Sequence, residues 1–358
     1  MKILVVQQKM IGDVLTSTIL CEQIKKNIPN SQIHYLINTN TDAVVANNPY
    51  IDEIVYFKPE YKKNKLAFYH FLRSISKERY EVVIDVYSKL ESMLITLFSG
   101  AGIRVSYEKW YSKFIYTHTH NYVRKGDTSV GLAIENRLAL LKPIIPEIQF
   151  EVQPPKIYLT QQEKDEAKDF LEENSVNFSI PILMINVLGS SANKTYPLSY
   201  MAQILDSIAQ QGEVNILFNY IPSQLKEVKK VYNLCAKETR SMILLDVFAP
   251  SLRSFLGLLS HCDALLGNEG GAVNMAKALN IPAFSIFSPW ITKVAWETFP
   301  NNKQNEAVHL ADFLPTHLEG KSVKQRKEEA EHLYSFFVPN LFTDRLTQFL
   351  DAKTFTHQ

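Results

Sequence analysis

The chain has 358 residues, of which 46% are hydrophobic and 21% are charged, the proportions of a globular protein with a substantial core. Its length suits two domains of ordinary size. The formal charge is only +1, which excludes the strong basic excess that general nucleic-acid binding requires, so we expect no nucleic-acid partner.

Cysteine usage and apolar runs predict where the protein works. The cysteines at positions 21, 235 and 262 are too far apart for a disulfide framework or a zinc knuckle, which indicates a reducing compartment. The first residues lack the pattern of a signal peptide, and no apolar run is long enough to span a membrane. We expect a cytoplasmic protein, and peripheral contact with the inner face of the membrane stays open.

In the first half of the chain, short apolar runs alternate with amphipathic stretches of helical length. The predicted strands are 2–6, 32–36, 53–56, 82–86 and 103–106, and the predicted helices are 14–28, 62–76, 89–99 and 129–141. This alternation is typical of a parallel sheet with helices on both faces.

The same alternation starts again at residue 182. The predicted strands are 182–186, 214–219, 243–247, 264–266 and 283–287, with helices at 198–210, 223–236, 251–260, 272–279, 323–336 and 341–351. We therefore expect an α/β protein of two doubly wound domains, 1–160 and 181–358, with 161–180 as a linker or crossover and with C-terminal helices that could pack back on the first domain. Two such domains facing each other would place the carboxyl ends of their strands around one cleft, where ligands of open sheets bind.

Gly12 and Asp13 lie between the first predicted strand, which ends at residue 6, and the first predicted helix. Glycine permits a tight turn close to a ligand, and aspartate at the start of a helix either caps it or places a carboxylate at the rim of the sheet. Taken alone, the motif favours the cap.

A small polar loop follows the strand 182–186. It contains Gly189, Ser190, Ser191 and Lys194, which could surround a phosphate with hydroxyl and backbone donors while the ammonium group neutralises it. The alternative is an ordinary polar turn with a solvated lysine.

A second glycine-containing loop follows the strand 264–266. Gly270 and Gly271 stand at the start of a predicted helix that carries Asn274, an arrangement typical of anion binding. Glu269 suits a hydroxylated ligand such as a sugar better than a bare phosphate. The alternative is a glycine turn needed only for close packing.

A basic and aromatic segment spans residues 58–79, with seven basic residues, Lys62 and Lys63 among them, against two acidic ones. It could receive an anionic acceptor or contact an anionic membrane, although such runs are more often the solvated face of a helix. The chain has no D-x-D triad and no metal-binding histidine spacing, so we expect no metal site and no cofactor.

Three motifs in this order resemble the ADP-heptose:lipopolysaccharide heptosyltransferase family, glycosyltransferase family 9. They are K-I-L-V-V-x-x-x-x-I-G-D-V-L, G-S-S-A-N-K-T-Y-P and E-G-G-A-V-N-M-A-K-A-L-N-I-P, and the resemblance covers most of the chain. It implies the GT-B architecture of two facing Rossmann-like domains. It also implies inverting, metal-independent transfer of a sugar, with heptose from ADP-heptose the expected donor, onto an anionic glycolipid such as the lipopolysaccharide core.

The resemblance assigns roles by position. Asp13 would be the general base, with Gly12, Lys62 and Lys63 on the acceptor side. The donor diphosphate and sugar would be bound by the following residues: Gly189, Ser190, Ser191, Lys194, Glu269, Gly270, Gly271 and Asn274. Glu269 replaces the aspartate usual in the family, Asn274 replaces a histidine, and Gln224, near the expected nucleotide, replaces a glutamate.

Two alternatives remain open at this point. A nucleotide-sugar epimerase of the same architecture would act on the donor alone, and a non-catalytic homologue would bind a sugar nucleotide or glycan without turnover. Donor consumption without an acceptor would favour the epimerase, and tight binding without transfer would favour the non-catalytic protein.

Overall fold

A computed structural model describes residues 1–124, 129–299 and 303–353. The chain forms two compact units, Met1–Tyr158 with Val294–Asn301 and Leu159–Lys293 with Asn302–Gln358. Each unit contains one parallel β-sheet, which confirms the predicted α/β class.

The first unit is built on a six-stranded sheet. Its strands are β1 Lys2–Val6, β2 Gln32–Asn38, β3 Glu53–Phe57, β4 Val82–Asp85, β5 Ile103–Tyr107 and β6 His118–His120, in the spatial order β3-β2-β1-β4-β5-β6. All neighbours are parallel, so the carboxyl ends of the strands share one edge. The central strand β1 is buried along its last four residues, as expected for a strand covered on both faces.

Among the described residues before Leu159, the helices are α1 Ile11–Asn27, α2 Glu60–Lys63, α3 Lys65–Lys77, α4 Leu90–Ser99 and α5 Leu132–Leu138. The prediction of one helix over 62–76 is wrong, because Asn64 separates α2 from α3. The Asn64 side chain accepts hydrogen bonds from the backbone N–H groups of Leu66 and Ala67, which makes it the N-cap of α3.

The second unit contains a five-stranded sheet of β7 Ile182–Asn186, β8 Asn215–Phe218, β9 Ala264–Asn268, β10 Ala283–Ile286 and β11 Asn305–Val308, in the order β11-β10-β9-β7-β8. The predicted strand at 243–247 is wrong. Ile243 makes a single bridge with Ile216, and the chain then turns at Leu244, whose carbonyl accepts a hydrogen bond from Val247 N–H. Strand β11 escaped prediction because its short sequence, N-E-A-V, has little apolar character.

The helices described after residue 158 lie in the second unit, except that α12 extends into Val294–Asn301 of the first unit. They are α6 Gln161–Glu173, α7 Leu198–Ala209, α8 Leu225–Leu234, α9 Lys237–Met242, α10 Leu252–Leu259, α11 Gly271–Ala278, α12 Lys293–Trp296, α13 Val323–Glu328, α14 Ala330–Phe336 and α15 Thr343–Lys353. The segment expected to be a linker, 161–180, contains α6, which packs against α10. Glu163 of α6 binds the guanidinium of Arg253 there, and the backbone of Gly257 lies close to α6.

The C-terminal helices, expected to be able to reach the first domain, belong to the core of the second unit. Phe337, Phe342 and Leu350 are buried in the same hydrophobic cluster as Phe284 of β10 and Leu205 of α7. Burial of large apolar side chains is the main favourable contribution to folding, and it explains why the end of the chain stays with this sheet.

Candidate active site

Asp13 lies in the first turn of α1, at the carboxyl edge of the first sheet. The helix begins at Ile11, so Asp13 is its third residue, and Met10 occupies the N-cap position without a side-chain hydrogen bond. The prediction that Asp13 caps the helix is therefore wrong. Gly12, the preceding residue, uses its carbonyl to accept a hydrogen bond from the Thr16 hydroxyl at 2.7 Å.

The carboxylate of Asp13 is held by Arg137 of α5. Arg137 Nη2 donates to Asp13 Oδ1 at 2.8 Å, Nε donates to Ser17 Oγ at 2.9 Å, and Nη1 donates to the Ala133 carbonyl at 2.7 Å. Arg137 is buried, whereas Asp13 keeps 27% of its side chain exposed. Three donors in one rigid guanidinium fix the direction of the carboxylate. The described residues offer the second oxygen, Oδ2, no hydrogen bond, so it is available to accept a proton.

Two buried tyrosines complete the surroundings of this carboxylate. The Tyr35 hydroxyl donates to the Val14 carbonyl at 2.7 Å and so holds the first turn of α1 against β2. Tyr107, the last residue of β5, is close enough to feel the charges of Arg137 and Asp13, and burial raises the pKa of its phenol well above the ordinary value. The phenol therefore stays protonated and can act as a hydrogen-bond donor.

In the second unit, the loop after β7 is folded tightly around Gly189. A Cβ atom at this position would lie 2.2 Å from the Lys194 carbonyl oxygen, so only glycine fits. Gly189 N–H donates to Thr195 Oγ1 at 3.1 Å, and that hydroxyl donates to the Ser191 carbonyl at 2.9 Å. Ser190 and Ser191 are exposed on the loop, where their hydroxyl groups can meet a ligand.

Lys194 and Glu269 come together from the loops after β7 and β9. Lys194 Nζ lies 3.2 Å from Glu269 Oε1, and this oxygen is buried without a hydrogen bond among the described residues. Lys194 Nζ also lies 5.4 Å from the centre of the Trp290 ring, which Lys327 of α13 approaches at 5.2 Å. The indole is fixed to the same loop because its N–H donates to the Asn193 carbonyl at 2.9 Å. Two ammonium groups around one ring, with a single carboxylate, suit an anion.

Asn268, the last residue of β9, holds these two loops together. Its buried side chain donates to the carbonyls of Asn186 and Val187 at 3.0 Å and 2.8 Å and accepts from Tyr196 N–H at 2.6 Å. Gly267 permits this close approach, because a Cβ there would lie 2.4 Å from the Asn186 carbonyl oxygen. Sequence reasoning assigned no role to Trp290, Lys327 or Arg137, which belong to no local motif. It also assigned none to Asn268, which stands beside Glu269 in the glycine-containing loop but whose partners are far away along the chain.

Gly270 and Gly271 stand at the start of α11, as predicted from the sequence. Gly270 has a φ of +151° and is the N-cap residue, so the first N–H groups of the helix have no side-chain cap. Asn274 is half-buried in the first turn, and its N–H donates to the Gly270 carbonyl at 3.3 Å. This helix start follows Glu269 directly and can offer N–H donors to an anion.

The remaining predicted residues lie on a turn of the second unit and on a helix of the first unit. Gln224 supports a turn, because its side-chain oxygen accepts from Ile221 N–H at 3.1 Å. Lys62 and Lys63 are exposed on α2, at the carboxyl edge of the first sheet. In residues 1–124, 129–299 and 303–353, no three His, Cys, Asp or Glu side chains are grouped so that they could hold a metal ion. The helices described in this structure include none long and apolar enough to cross a membrane.

The sequence profile of glycosyltransferase family 9 (heptosyltransferase) matches residues 68–322. The chain belongs to this family. It is 23% identical to lipopolysaccharide heptosyltransferase 1 of Campylobacter coli over 296 residues, which covers 80% of this chain and 84% of that protein.

Solved structures show the same fold. A family 9 glycosyl transferase from Veillonella parvula superposes with a TM-score of 0.75 at 16% identity and covers 93% of this chain and 97% of its own. The Escherichia coli ADP-heptose lps heptosyltransferase II gives a TM-score of 0.68 at 17% identity, with 94% and 99% covered. This family 9 glycosyltransferase therefore has the GT-B fold, and the recognition of its family from three motifs is confirmed.

Proposed function

We propose that this glycosyltransferase transfers heptose from ADP-heptose to a lipopolysaccharide-core or related cell-surface glycan. The relatives named lipopolysaccharide heptosyltransferases and the Escherichia coli structure named for ADP-heptose support the donor and the acceptor class. The observation that carries the proposal is the pairing of Lys194 with Glu269 next to the uncapped start of α11.

On the donor side, the Lys194–Glu269 pair provides both charges that a nucleotide sugar needs. The diphosphate would compete with Glu269 for the ammonium of Lys194, and the N–H groups at Gly271 would bind a second phosphate oxygen. The released carboxylate of Glu269 would then accept hydrogen bonds from sugar hydroxyls. Asn274 and the hydroxyls of Ser190 and Ser191 would add neutral contacts.

On the acceptor side, Asp13 would act as the general base. An acceptor hydroxyl gives its proton to Asp13 Oδ2 as its oxygen forms a bond to the anomeric carbon, and the bond from that carbon to the diphosphate breaks. General-base help of this kind typically contributes about 10²–10⁴-fold. Arg137 would hold Oδ1, so that Oδ2 keeps its direction during the transfer.

A single displacement of this kind inverts the anomeric configuration. The electron pair of the broken bond goes to the diphosphate, where Lys194 and the start of α11 would stabilise it in the role that Mg²⁺ plays in other enzymes. We therefore propose metal-independent transfer. Activity that survives an excess of EDTA supports this part, and activity lost in EDTA and restored by Mg²⁺ contradicts it.

The acceptor is proposed to be an anionic glycolipid met at the cytoplasmic face of the membrane. The exposed ammonium groups of Lys62 and Lys63 on α2 support an anionic partner, because charge attracts such a substrate at long range. We also place Gly12, which precedes Asp13, on the acceptor side.

The test separates chemistry from donor binding. Asp13→Asn should lower kcat by about 10²–10⁴-fold and leave the Kd of ADP unchanged. Lys194→Ala should weaken ADP binding by at least about tenfold, since it removes a charge-assisted contact. Near wild-type turnover of Asp13→Asn would remove the base, and an unchanged Kd in Lys194→Ala would remove the lysine from the donor site.

A thermal-shift measurement with different nucleotides tests which nucleotide the donor carries. A ligand that binds only the folded protein raises the melting temperature by mass action. ADP should give a larger shift than UDP, GDP or CMP at equal concentration. A larger shift with another nucleotide would replace ADP-heptose as the donor.

A further inference from the structure

The first unit exposes large apolar side chains on α4 and on the loop between β5 and β6. In the loop, Trp110 is 89% exposed, Phe114 is 80% exposed and Tyr111 is also exposed. The outward face of α4 carries Leu90, 70% exposed, together with Leu97 and Phe98. Together these six residues form what we call the apolar surface. Exposed patches of this kind usually mark an interaction site.

The loop that presents the aromatic rings is firmly held. Ser112 is buried within it, and Ile115 and Tyr116 pack against Met93 of α4. The Tyr116 hydroxyl donates to the buried carboxylate of Asp85 at 2.6 Å. The rings of Trp110 and Phe114 therefore project from a fixed base and need not be ordered when they bind, which favours binding.

The same base joins the loop to the start of α4. Asp85 Oδ1 accepts from Ser88 N–H at 2.7 Å, and the Ser88 carbonyl accepts from the ammonium of Lys109. Leu90 follows Ser88 by two residues, so the start of α4 and the aromatic loop are neighbours. This part of the apolar surface follows strands β4 and β5 at the carboxyl edge of the sheet, the edge that also carries Asp13, whereas Leu97 and Phe98 extend it along α4 away from that edge.

Basic residues surround the apolar surface. Lys89 precedes α4, and Lys109 and Lys113 lie in the loop; the acidic residues there are Glu91 of α4 and Glu108, which is paired with Lys113. Helix α3 packs against α4, and all seven basic residues of the segment 58–79 are exposed. Of the two acidic residues in that segment, Glu78 is already paired with Lys2. The charge next to the apolar surface is therefore positive.

We propose that the apolar surface inserts into the interfacial layer of an anionic lipid bilayer. Tryptophan, tyrosine and lysine at the edge of an apolar patch are the residues that favour the lipid–water interface. The basic α2–α3 segment would add attraction to anionic headgroups. The inference rests on the proposed glycolipid acceptor, because it would bring the base Asp13 to the membrane that holds such an acceptor.

The test uses the full chain with vesicles of phosphatidylcholine, alone or with phosphatidylglycerol, in a co-sedimentation assay. The wild type should bind the anionic vesicles more tightly. Trp110→Ser with Phe114→Ser should weaken binding at least about tenfold, since burial of two large apolar side chains is lost. Leu234→Ser, at a leucine 54% exposed at the end of α8 in the second unit, is the matched control and should bind like wild type.

Charge and insertion are separated by two further measurements. Lys62→Ala with Lys63→Ala should weaken binding to anionic vesicles about fivefold for each lysine and leave binding to phosphatidylcholine unchanged. Tryptophan emission should shift to shorter wavelength when vesicles are added to wild type, and this shift should be absent in Trp110→Ser.

Three results would overturn the inference. The first is equal vesicle binding by wild type and by the Trp110/Phe114 double variant. The second is an emission change at Trp110 with a lipid-free oligosaccharide but not with vesicles, which would assign the surface to glycan stacking. The third is self-association that the double variant loses, without vesicle binding, which would assign it to a second copy of the chain. ADP binding is measured on the same samples. Absence of ADP binding would contradict the proposed donor, whereas the conclusion from the vesicle measurements would not change.

Discussion

Arg137→Met is the substitution that tests most directly how the carboxylate of Asp13 is positioned. Methionine keeps most of the side-chain length and removes three hydrogen bonds, to Asp13, Ser17 and the Ala133 carbonyl. All three come from the charged guanidinium, so each belongs to the class that contributes about 1.5–3 kcal/mol, and the cost of burying the cation offsets part of their sum. Because Asp13 is partly exposed, water compensates part of its loss. We expect the free energy of unfolding to fall by about 2–4 kcal/mol.

The effect on catalysis should exceed what lost stability alone would cause. Without the guanidinium, Asp13 can rotate, and a base that leaves its productive geometry loses a large part of its contribution. We expect kcat to fall about 10–100-fold, equivalent to about 1.4–2.7 kcal/mol of transition-state stabilisation, with the Kd of ADP unchanged. Urea denaturation, steady-state kinetics and calorimetry give the three quantities.

Arg253→Met is the matched control. Arg253 binds Glu163 through a partly buried pair in the second unit, and the proposed mechanism gives neither residue a role. The substitution Arg253→Met should lower the free energy of unfolding, and it should leave kcat unchanged under conditions where the protein is folded. Adding Arg137→Met to Asp13→Asn should cause little further loss of kcat, because the proposed base is already absent from that variant. A kcat of Arg137→Met within twofold of wild type would refute the positioning role.

The other predictions concern the second unit. Lys327→Ala should weaken ADP binding about three- to tenfold, because its ammonium group approaches the indole ring that Lys194 also approaches. Lys324→Ala on the same helix should not change the Kd, and equal Kd values for the two variants would remove Lys327 from the proposed donor site. Gly267→Ala should lower the free energy of unfolding by about 2–4 kcal/mol, because a Cβ there would meet the backbone of Asn186. Gly320→Ala is the control and should lower it by about 1 kcal/mol, since φ is also positive there but nothing lies within 4 Å of a Cβ. Similar losses in the two variants would contradict the packing argument. The hydrogen bonds from Arg253 lower the pKa of Glu163 from 4.5 to about 2. The stabilisation that the ionised Glu163 provides is therefore complete above pH 4.5 and is lost as the pH falls towards 2. The difference in melting temperature between wild type and Glu163→Gln should shrink over that range, and a constant difference would contradict this pH dependence.

The sheets and the loops that carry chemistry could be predicted because their signals are local. A strand such as Ile182–Asn186 is a continuous apolar run bounded by polar residues, and the glycines that follow it mark the turn. The start of α11 at Gly271 was visible for the same reason. Asn305–Val308 is the opposite case: the sequence N-E-A-V has little apolar character, and it forms a strand by pairing with Ala283–Ile286 at the edge of the sheet.

The groups that complete the site could not be predicted, because their partners are far away along the chain. Arg137 and Asp13 are 124 residues apart, and only the packing of α5 against α1 brings them together. Asn268 looks like a turn residue in the sequence, yet it is buried and bonded to the loop after β7. Trp290 lies in the loop after β10 and Lys327 lies in α13, and the contact between them depends on how α13 packs in the second unit.

The position of Asp13 in α1 distinguishes two interpretations of this residue, a helix cap and a general base. An N-cap carboxylate accepts hydrogen bonds from the N–H groups of its own helix, so a proton must compete with those donors. Asp13 is the third helical residue, and Met10 takes the cap position. One oxygen of Asp13 is held by Arg137 and the other accepts nothing from the described residues. The capping interpretation was wrong, and its failure leaves Asp13 with the free oxygen that a general base requires.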